Sequence, residues 1–270
     1  MVVPEVTLTH LNRADGSATY TYNGYSVIGA VNGPIEVLRR DEMPEEATIE
    51  VNVRPAIGVG SPKERHLEAL LHNTLRSIIL TRSIPRTLVQ ITLQIKSLPE
   101  EEEATTGISS VRFPSSLCGK GEANGLQSLT ILPHLLHTAF LALLSASIPL
   151  RATLTSTLIA LPAKSTSLLS PTANELLRAK PIKSIHVFAF SGDRRLLLNE
   201  SDGAFSYEEW EEACERAEEV CCGEADEGGV KLGGEEMEID GLEKSENLEK
   251  WLRQVVKRKV EWEQRWKSDT

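Results

Sequence analysis

The chain of 270 residues has only four cysteines, and none of them forms a C-x-x-C pair. Cys214, Cys221 and Cys222 crowd into one acidic region, and Cys118 stands apart. Zinc sites and disulfide frameworks need a different cysteine spacing, so this arrangement favours neither of them. We therefore expect reduced thiols.

Signals for export, membrane insertion and nucleotide binding are also missing. The sequence has no basic-then-apolar N-terminal stretch, and no apolar run reaches the roughly 18 residues that a membrane helix needs. It contains no G-x-G-x-x-G, G-x-x-x-x-G-K-[ST] or G-x-S-x-G motif, so phosphate-binding loops and a serine-hydrolase elbow are unsupported. We expect a soluble, intracellular protein that has no membrane contact and needs no cofactor.

The net charge of −10 is distributed unevenly. Residues 200–270 hold 22 of the 39 acidic residues, whereas residues 125–199 carry 7 basic side chains against 2 acidic ones. The acidity is therefore a property of the C-terminal part, and the body of the chain is neutral to faintly basic. The negative net charge of the whole chain therefore does not exclude binding to nucleic acid.

The first part of the chain alternates between strand and helix patterns. Residues 13–34, RADGSATYTYNGYSVIGAVNGP, predict a hairpin that turns at Asn23-Gly24 and stops at Gly33-Pro34. ATIEVNVRPAIGVG and RTLVQITLQIKSL each show the period of two that is typical of half-buried strands. Between them, SPKERHLEALLHNTLRSIIL predicts a helix that begins with a capping box.

The second part predicts helices around further strands. LPHLLHTAFLALLSASIPL is apolar on nearly all sides, which predicts a buried helix with Pro133 in its first turn. RATLTSTLIAL, IHVFAFSG and RRLLLN are expected to be strands, and FSYEEWEEACERAEEV an amphipathic helix. The element order indicates an α+β fold, a mixed sheet covered by helices. We expect one domain over residues 1–270, with surface insertions at about 99–125 and 223–241 and a C-terminal amphipathic helix at about 242–268.

Several residues could have either a functional or a structural role. His134 and His137 have a spacing that could present two metal ligands, but packing in a buried helix is the better interpretation, because no carboxylate or cysteine accompanies them. Arg82 and Arg86 could grip phosphate, or could be surface arginines at a helix C-terminus. The C-terminal tryptophans recur at helical spacing, which favours packing over stacking on nucleic acid.

Taken in order, several segments resemble the RNase PH family. They are RADGS before a hairpin, SVIGAVNGPIEV, IEVNVRPAIG, a capped helix, IPRTLVQITLQI and TAFLALLSASIPL, over about residues 11–200. Within that family, the sequence of these segments is most similar to an RNase PH-type ring subunit of the eukaryotic RNA exosome. The resemblance implies an RNase PH-like split βαβ fold, arranged in a six-membered ring around an RNA channel.

Active members of this family cut RNA with inorganic phosphate, and the resemblance implies where that chemistry would lie. A Gly-Thr-Arg-like tripeptide holds the phosphate, and the matching positions here are Thr130, Ile131 and Leu132. Two aspartates hold the metal, and Ser170 stands where the first should be, with Glu175 the only carboxylate in that segment. Both sites are degenerate, so we expect no catalytic residues and no bound metal; Arg86 is the one clearly retained cation.

The expected function is therefore a non-catalytic exosome ring subunit that supports 3′-to-5′ RNA processing and degradation. The partners implied are other RNase PH-like ring subunits, S1/KH-type cap subunits and RNA in the channel, with Lys63 and Arg65 as first RNA-binding candidates and Arg82 and Arg86 as second. The expected localisation is nuclear, nucleolar and cytoplasmic. Two alternatives stay open at this point: an active phosphate-dependent exoribonuclease, and a free-standing α+β interaction module.

Overall fold

The computed structural model describes residues 4–99, 123–162, 167–179, 181–223 and 248–267. Among these residues no helix is long and apolar enough to cross a membrane. The predicted insertions fall largely outside the described residues, and so does Cys118. The single-domain assignment therefore stays a prediction.

The first sheet has five strands in the order β1-β2-β3-β5-β4, with β4 and β5 parallel and the other pairs antiparallel. The strands are β1 (Glu5–Leu8), β2 (Gly16–Tyr22), β3 (Tyr25–Glu36), β4 (Thr48–Arg54) and β5 (Thr87–Ser97). Along β5 alternate side chains are buried, as the period of two predicts. This sheet is the mixed sheet expected from the sequence.

The predicted hairpin is confirmed, but its second strand is longer than expected. Asn23 and Gly24 both have positive φ, 51° and 86°, as a two-residue turn with the twist of the strands requires. β3 does not stop at Gly33-Pro34; it continues to Glu36 after a shift in register between Asn32 and Ile35. The bulge absorbs the proline, whose missing N–H cannot join the ladder.

Helix α1 (Pro62–Ile78) connects the two parallel strands and begins as predicted. The Ser61 side chain accepts a hydrogen bond from backbone N–H groups of the first turn, and Glu64 accepts one from the Ser61 N–H at 2.7 Å. These contacts satisfy donors that a helix start otherwise leaves open. The apolar face of the helix packs in the core through Leu67, Leu71, Leu75 and Ile78.

Helix α2 (Ala123–Ser145) packs against strands of both sheets. Its start differs from the prediction, since Pro133 lies inside the helix and not in its first turn. A proline there removes one hydrogen bond of the helix. The packing of α2 between the sheets offsets this cost, because every residue from Leu129 to Leu143 is buried.

The second sheet has four antiparallel strands in the order β7-β6-β8-β9. They are β6 (Leu154–Pro162), β7 (Leu168–Leu169), β8 (Ile182–Ser191) and β9 (Leu196–Gly203). Its separation from the first sheet was not predicted, and neither were the two-residue β7 and the short helix α3 (Ala173–Arg178). Helix α4 (Tyr207–Cys222) covers the outer face of this sheet, where Phe188 and Phe190 meet Ala213 and Ala217.

The last described helix, α5 (Leu248–Gln264), docks on its own chain and is followed by a single 3₁₀ turn (Arg265–Lys267). Trp251 and Leu252 are buried in the main core, and the Trp251 ring lies edge-on to that of Tyr20 with centroids 6.1 Å apart. Trp262 and Trp266, by contrast, are 65% and 67% exposed. The predicted apolar stripe therefore packs only along its first half.

Candidate functional site

A small cleft lies between the β2–β3 hairpin, α2 and the segment around Ser170. Its walls include Tyr20, Tyr22 and Tyr25 of the hairpin. Tyr20 and Tyr22 are two residues apart and therefore share one face of β2. Tyr22 pairs with Tyr25 across the turn, so all three rings lie on the same side of the sheet. The cleft encloses about 50 Å³, which holds no more than a few water molecules.

Two histidines of α2 form the opposite wall. The His134 ring centroid lies 4.5 Å from that of Tyr25 and 5.9 Å from those of Tyr20 and Tyr22. Neither ring nitrogen of His134 has a hydrogen-bond partner among the described residues. His137 differs, because its Nε2 accepts a hydrogen bond from the Ser156 N–H at 3.0 Å.

The walls of the cleft are electrically neutral near neutral pH. Burial lowers the pKa of His134 to about 4. The nearby Thr130 and Tyr22 backbones weakly favour the protonated ring, although neither contact has the geometry of a hydrogen bond. Burial and the neighbouring His134 lower the pKa of His137 to about 3. Burial also raises the pKa of Tyr20 and of Tyr22. The cleft therefore offers uncharged imidazoles and phenols.

Of the three positions that the resemblance to the family assigned to a phosphate-binding tripeptide, only Thr130 lines the cleft. Ile131 and Leu132 are core residues, 4% and 0% exposed. Pro133 does line the cleft but has no N–H to offer an anion. No lysine or arginine is found among the described residues that line the cleft. The described lining offers hydroxyl and amide groups but lacks the cations that hold a phosphate dianion.

Of the two positions that the resemblance assigned to a metal site, Ser170 lines the cleft. Its hydroxyl and that of Thr157 are hydrogen-bonded at 3.1 Å, and its carbonyl accepts a hydrogen bond from Asn23 Nδ2 at 2.9 Å. Glu175 closes the capping box of α3, where its Oε2 accepts from the Thr172 N–H at 2.9 Å. Among the described residues no group of three or more potential metal ligands occurs.

The four candidate RNA-binding cations fall into two groups at opposite ends of α1. Lys63 and Arg65 lie in its first turn and form no ion pair with any described residue. Arg82 and Arg86 follow its C-terminus, so most of the length of the helix, roughly 20 Å, separates the two pairs. The structure therefore does not bring the four together.

Acidic neighbours accompany the second group. Arg82 Nε lies 3.4 Å from Glu46 Oε1, and the same carboxylate accepts from Arg76. Arg86 Nε lies 3.6 Å from Glu42 Oε1. Both arginines are largely exposed, so the pairs are weak, but they reduce the positive potential available to RNA.

The tyrosine and histidine cluster was not anticipated as a site. Its signal is present in the sequence YTYNGY, because residues two apart on a strand and residues paired across a two-residue turn share one face. The spacing of His134 and His137 indicated that both lie on one side of α2, but not that this side faces the tyrosines. Their burial, 8% and 2% exposed, agrees with the packing role predicted for them.

Comparison with known proteins identifies the family of this fold. Residues 4–149, more than half of the chain, match the 3′ exoribonuclease family, domain 1 (RNase PH). The chain belongs to the RNase PH family. The predicted α+β, RNase PH-like fold is thereby confirmed.

Relatives within the RNase PH family include named exosome proteins. The Saccharomyces cerevisiae exosome complex component RRP46 is 32% identical over 216 residues, which are 78% of this chain and 86% of the yeast protein. The crystal structure of rice (Oryza sativa) Rrp46 matches with a TM-score of 0.62 and 25% identity, and covers 79% of this chain and 86% of the rice chain. An archaeal exosome core chain is 14% identical with a TM-score of 0.56 over 80% of this chain and 82% of its own, which supports the fold alone.

Proposed function

We propose that this RNase PH family member is a non-catalytic structural subunit of an exosome-type ring, supporting 3′-to-5′ RNA processing and degradation. The proposal that the chain is not catalytic rests on the residues that line the cleft. It brings the positions of Thr130 and Ser170 together, yet its described lining contains no cation and no carboxylate. The similarity to the yeast exosome component over most of both chains supports the place in a ring.

Phosphorolysis makes demands that this cleft does not meet. Inorganic phosphate must be held by cations or free N–H groups, and a metal ion must offset the charge on the reacting phosphates. Leu132 is fully buried where the family has its phosphate-binding arginine. The loss of one preorganised donor in a comparable role costs about 10²–10³ in rate, and here the metal-binding pair is missing as well.

The proposal includes partners. Other RNase PH-like subunits are expected to flank this chain in a six-membered ring, S1/KH-type subunits to cap it, and RNA to pass through the centre. Lys63 and Arg65 are the favoured RNA contacts, since neither is paired with an acid among the described residues. Localisation in the nucleus, the nucleolus and the cytoplasm belongs to the same proposal.

The test combines assembly with catalysis. The purified chain is measured by native mass spectrometry alone and after mixing with candidate RNase PH-like ring subunits of the same source. Each sample is then incubated with uniformly labelled single-stranded RNA, with and without phosphate and Mg²⁺. An active phosphorolytic RNase PH serves as the positive control for nucleoside diphosphate release.

We expect a stable complex with a ring subunit and no phosphate-dependent release of nucleoside diphosphates by this chain. Phosphate-dependent release by the isolated chain would establish the alternative, an active phosphorolytic exoribonuclease. A folded monomer that binds no RNase PH-like subunit and degrades no RNA would instead establish a free-standing interaction module.

A further inference from the structure

The loop of residues 37–47, between β3 and β4, is fixed by its backbone near the C-terminal end of α1. The Ala47 N–H donates to the Thr81 carbonyl at 3.0 Å, and the Arg86 N–H donates to the Glu46 carbonyl at 3.3 Å. Ala47 is buried, and Arg86 has a φ of 59°, which residues other than glycine rarely adopt. The backbone therefore determines where the Glu46 side chain begins.

Glu46 lies between two arginines and contacts each of them with a different carboxylate oxygen. Its Oε2 accepts a hydrogen bond from Arg76 Nη2 at 3.2 Å, and its Oε1 lies 3.4 Å from Arg82 Nε. Glu42, in the same loop, has its Oε1 3.6 Å from Arg86 Nε. The Glu46 side chain is only 26% exposed, whereas each of the three arginine side chains is more than half exposed. We call Arg76, Arg82 and Arg86 the arginine cluster.

The two carboxylates cancel most of the charge of the arginine cluster. Three positive and two negative side chains give this network of contacts a net charge of +1. Guanidinium groups bind the oxygens of carboxylates and of phosphates in the same way. Glu42 and Glu46 therefore occupy guanidinium groups that could otherwise bind a nucleic-acid backbone.

We propose that Glu42 and Glu46 inhibit RNA binding at this end of α1, because they compete with RNA phosphates for the arginine cluster. The inference rests on the function proposed above, since it takes RNA as the ligand. It goes beyond that function by giving two acidic residues an inhibitory role and by adding Arg76 to the surface. Because exposed ion pairs are weak, a strand that presents several phosphates together can displace the carboxylates.

A purely structural role explains these ion pairs less well. The backbone hydrogen bonds of Ala47 and Arg86 already hold the loop, and ion pairs with largely exposed arginines add little to stability. The opposite end of α1 provides a contrast, because Lys63 and Arg65 form no ion pair with any described residue. The two ends of one helix thus differ in how much positive charge is free to bind RNA.

The test measures the affinity of a fluorescently labelled oligouridylate by anisotropy over a range of salt concentrations. Both the isolated full chain and the reconstituted assembly are measured. Glu46→Gln removes the charge that Arg76 and Arg82 share and keeps the size of the side chain. Glu45→Gln is the matched control, because Glu45 is the adjacent residue, is exposed and forms no ion pair with a described residue. Both variants change the net charge equally, so a difference between them reports the contacts of Glu46.

We expect Glu46→Gln to bind the oligouridylate several-fold more tightly than the wild-type chain at low salt. Glu45→Gln should stay within about twofold of the wild type, because it acts only through longer-range, screened electrostatics. For Glu42→Gln/Glu46→Gln we expect roughly tenfold tighter binding, with the slope of log K against log salt steeper by roughly 0.7 for each arginine that then contacts a phosphate. Thermal unfolding of all three variants is expected to stay unchanged.

A further variant tests whether the increase in affinity depends on the arginines. Arg82→Ala/Arg86→Ala is combined with Glu42→Gln/Glu46→Gln, and we expect most of the increase in affinity and in salt dependence to disappear. If the whole increase remained without these two arginines, it would arise from the overall charge, and the inference would be overturned. Equal affinities of Glu46→Gln and Glu45→Gln would overturn it too.

The outcomes separate this inference from the proposed function. If the assembly forms and binds RNA, but Glu42→Gln/Glu46→Gln binds no more tightly than the wild type, only the inference is overturned. If the chain joins no ring, the proposed function fails, and the measurements on the isolated chain still decide the inference.

Discussion

The rings of Tyr25 and His134 lie 4.5 Å apart, centroid to centroid, and join the hairpin of the first sheet to the helix between the sheets. The contact lies in the cleft that Thr130 and Ser170 also line. Here the cleft is narrow, neutral and lined by rings that pack on one another. These ring contacts hold the hairpin against the helix.

Replacement of His134 by phenylalanine is expected to preserve or increase stability. The imidazole is buried and its nitrogens have no hydrogen-bond partner among the described residues, so it incurs a desolvation cost that phenylalanine avoids. The measurement is the free energy of unfolding in urea at pH 7.5. A loss of more than about 2 kcal/mol would show that the His134 ring makes a hydrogen bond essential to the fold.

His137→Phe is the matched control for that substitution. His137 lies on the same buried side of α2, but its Nε2 accepts the Ser156 N–H. The replacement leaves that buried N–H unsatisfied, which costs about 1–3 kcal/mol. We therefore expect His137→Phe to be clearly less stable than His134→Phe; equal stabilities would contradict the distinction.

Stability should fall as the pH decreases from about 6.5 towards 4. The pKa values of His134 and His137 in the folded chain, about 4 and about 3, lie below the ordinary value of 6.5. In this range the unfolded chain binds protons that the folded chain does not, so stability is complete above pH 6.5 and declines below it. Between its two pKa values each histidine contributes up to about 1.4 kcal/mol per pH unit. His186 acts in the same direction, because burial lowers its pKa too.

Urea unfolding of the wild-type chain and of His134→Phe, at pH 7.5, 6.5, 5.5 and 5.0, measures this effect. The variant lacks one of the depressed histidines, so its free energy of unfolding should depend less steeply on pH. Equal slopes for the two proteins would mean that His134 has the same pKa in the folded and in the unfolded chain.

The parts of the fold that could be predicted are those with a local cause. The turn at Asn23-Gly24 and the capping box at Ser61 follow from neighbouring residues, and the period of two along β5 follows from one buried face. The start of α2 was wrong because Pro133 is tolerated by packing that only the tertiary structure supplies. β7 has two residues and α3 has six, which is too short for periodicity to reveal.

The candidate site was predictable only in part. Resemblance to the family places Thr130 and Ser170 in one site, and the structure shows that they do line one cleft. The role of Tyr25 could not be inferred from composition, because it depends on which helix crosses the hairpin. Whether Trp262 and Trp266 are buried likewise depends on how far the surface beneath α5 extends, which is a property of the whole fold.

Gly16→Ala is expected to destabilise the chain strongly. A Cβ at Gly16 would lie 2.5 Å from the Ala142 carbonyl oxygen and 2.6 Å from the Ala146 Cβ, so β2 would have to move away from α2. Such overpacking typically costs about 1–3 kcal/mol or more. The control is Gly60→Ala, where nothing lies within 4 Å and no cost is expected. Thermal unfolding compares the two, and a Gly16→Ala chain as stable as the control would contradict the close packing.

Lys63→Ala/Arg65→Ala is expected to weaken RNA binding more than Arg82→Ala/Arg86→Ala. The first two cations have no acidic partner among the described residues, whereas Arg82 and Arg86 lie beside Glu46 and Glu42. Removal of a phosphate contact lowers affinity for all sequences alike and reduces the slope of log K against log salt by roughly 0.7 per contact on single-stranded RNA. The measurement is fluorescence anisotropy of a labelled oligouridylate bound to the reconstituted assembly, at 50 to 300 mM salt as the experimental range. An unchanged slope for the first variant, or a larger loss of affinity for the second, would contradict the prediction and indicate that RNA binds near Arg82 and Arg86 instead.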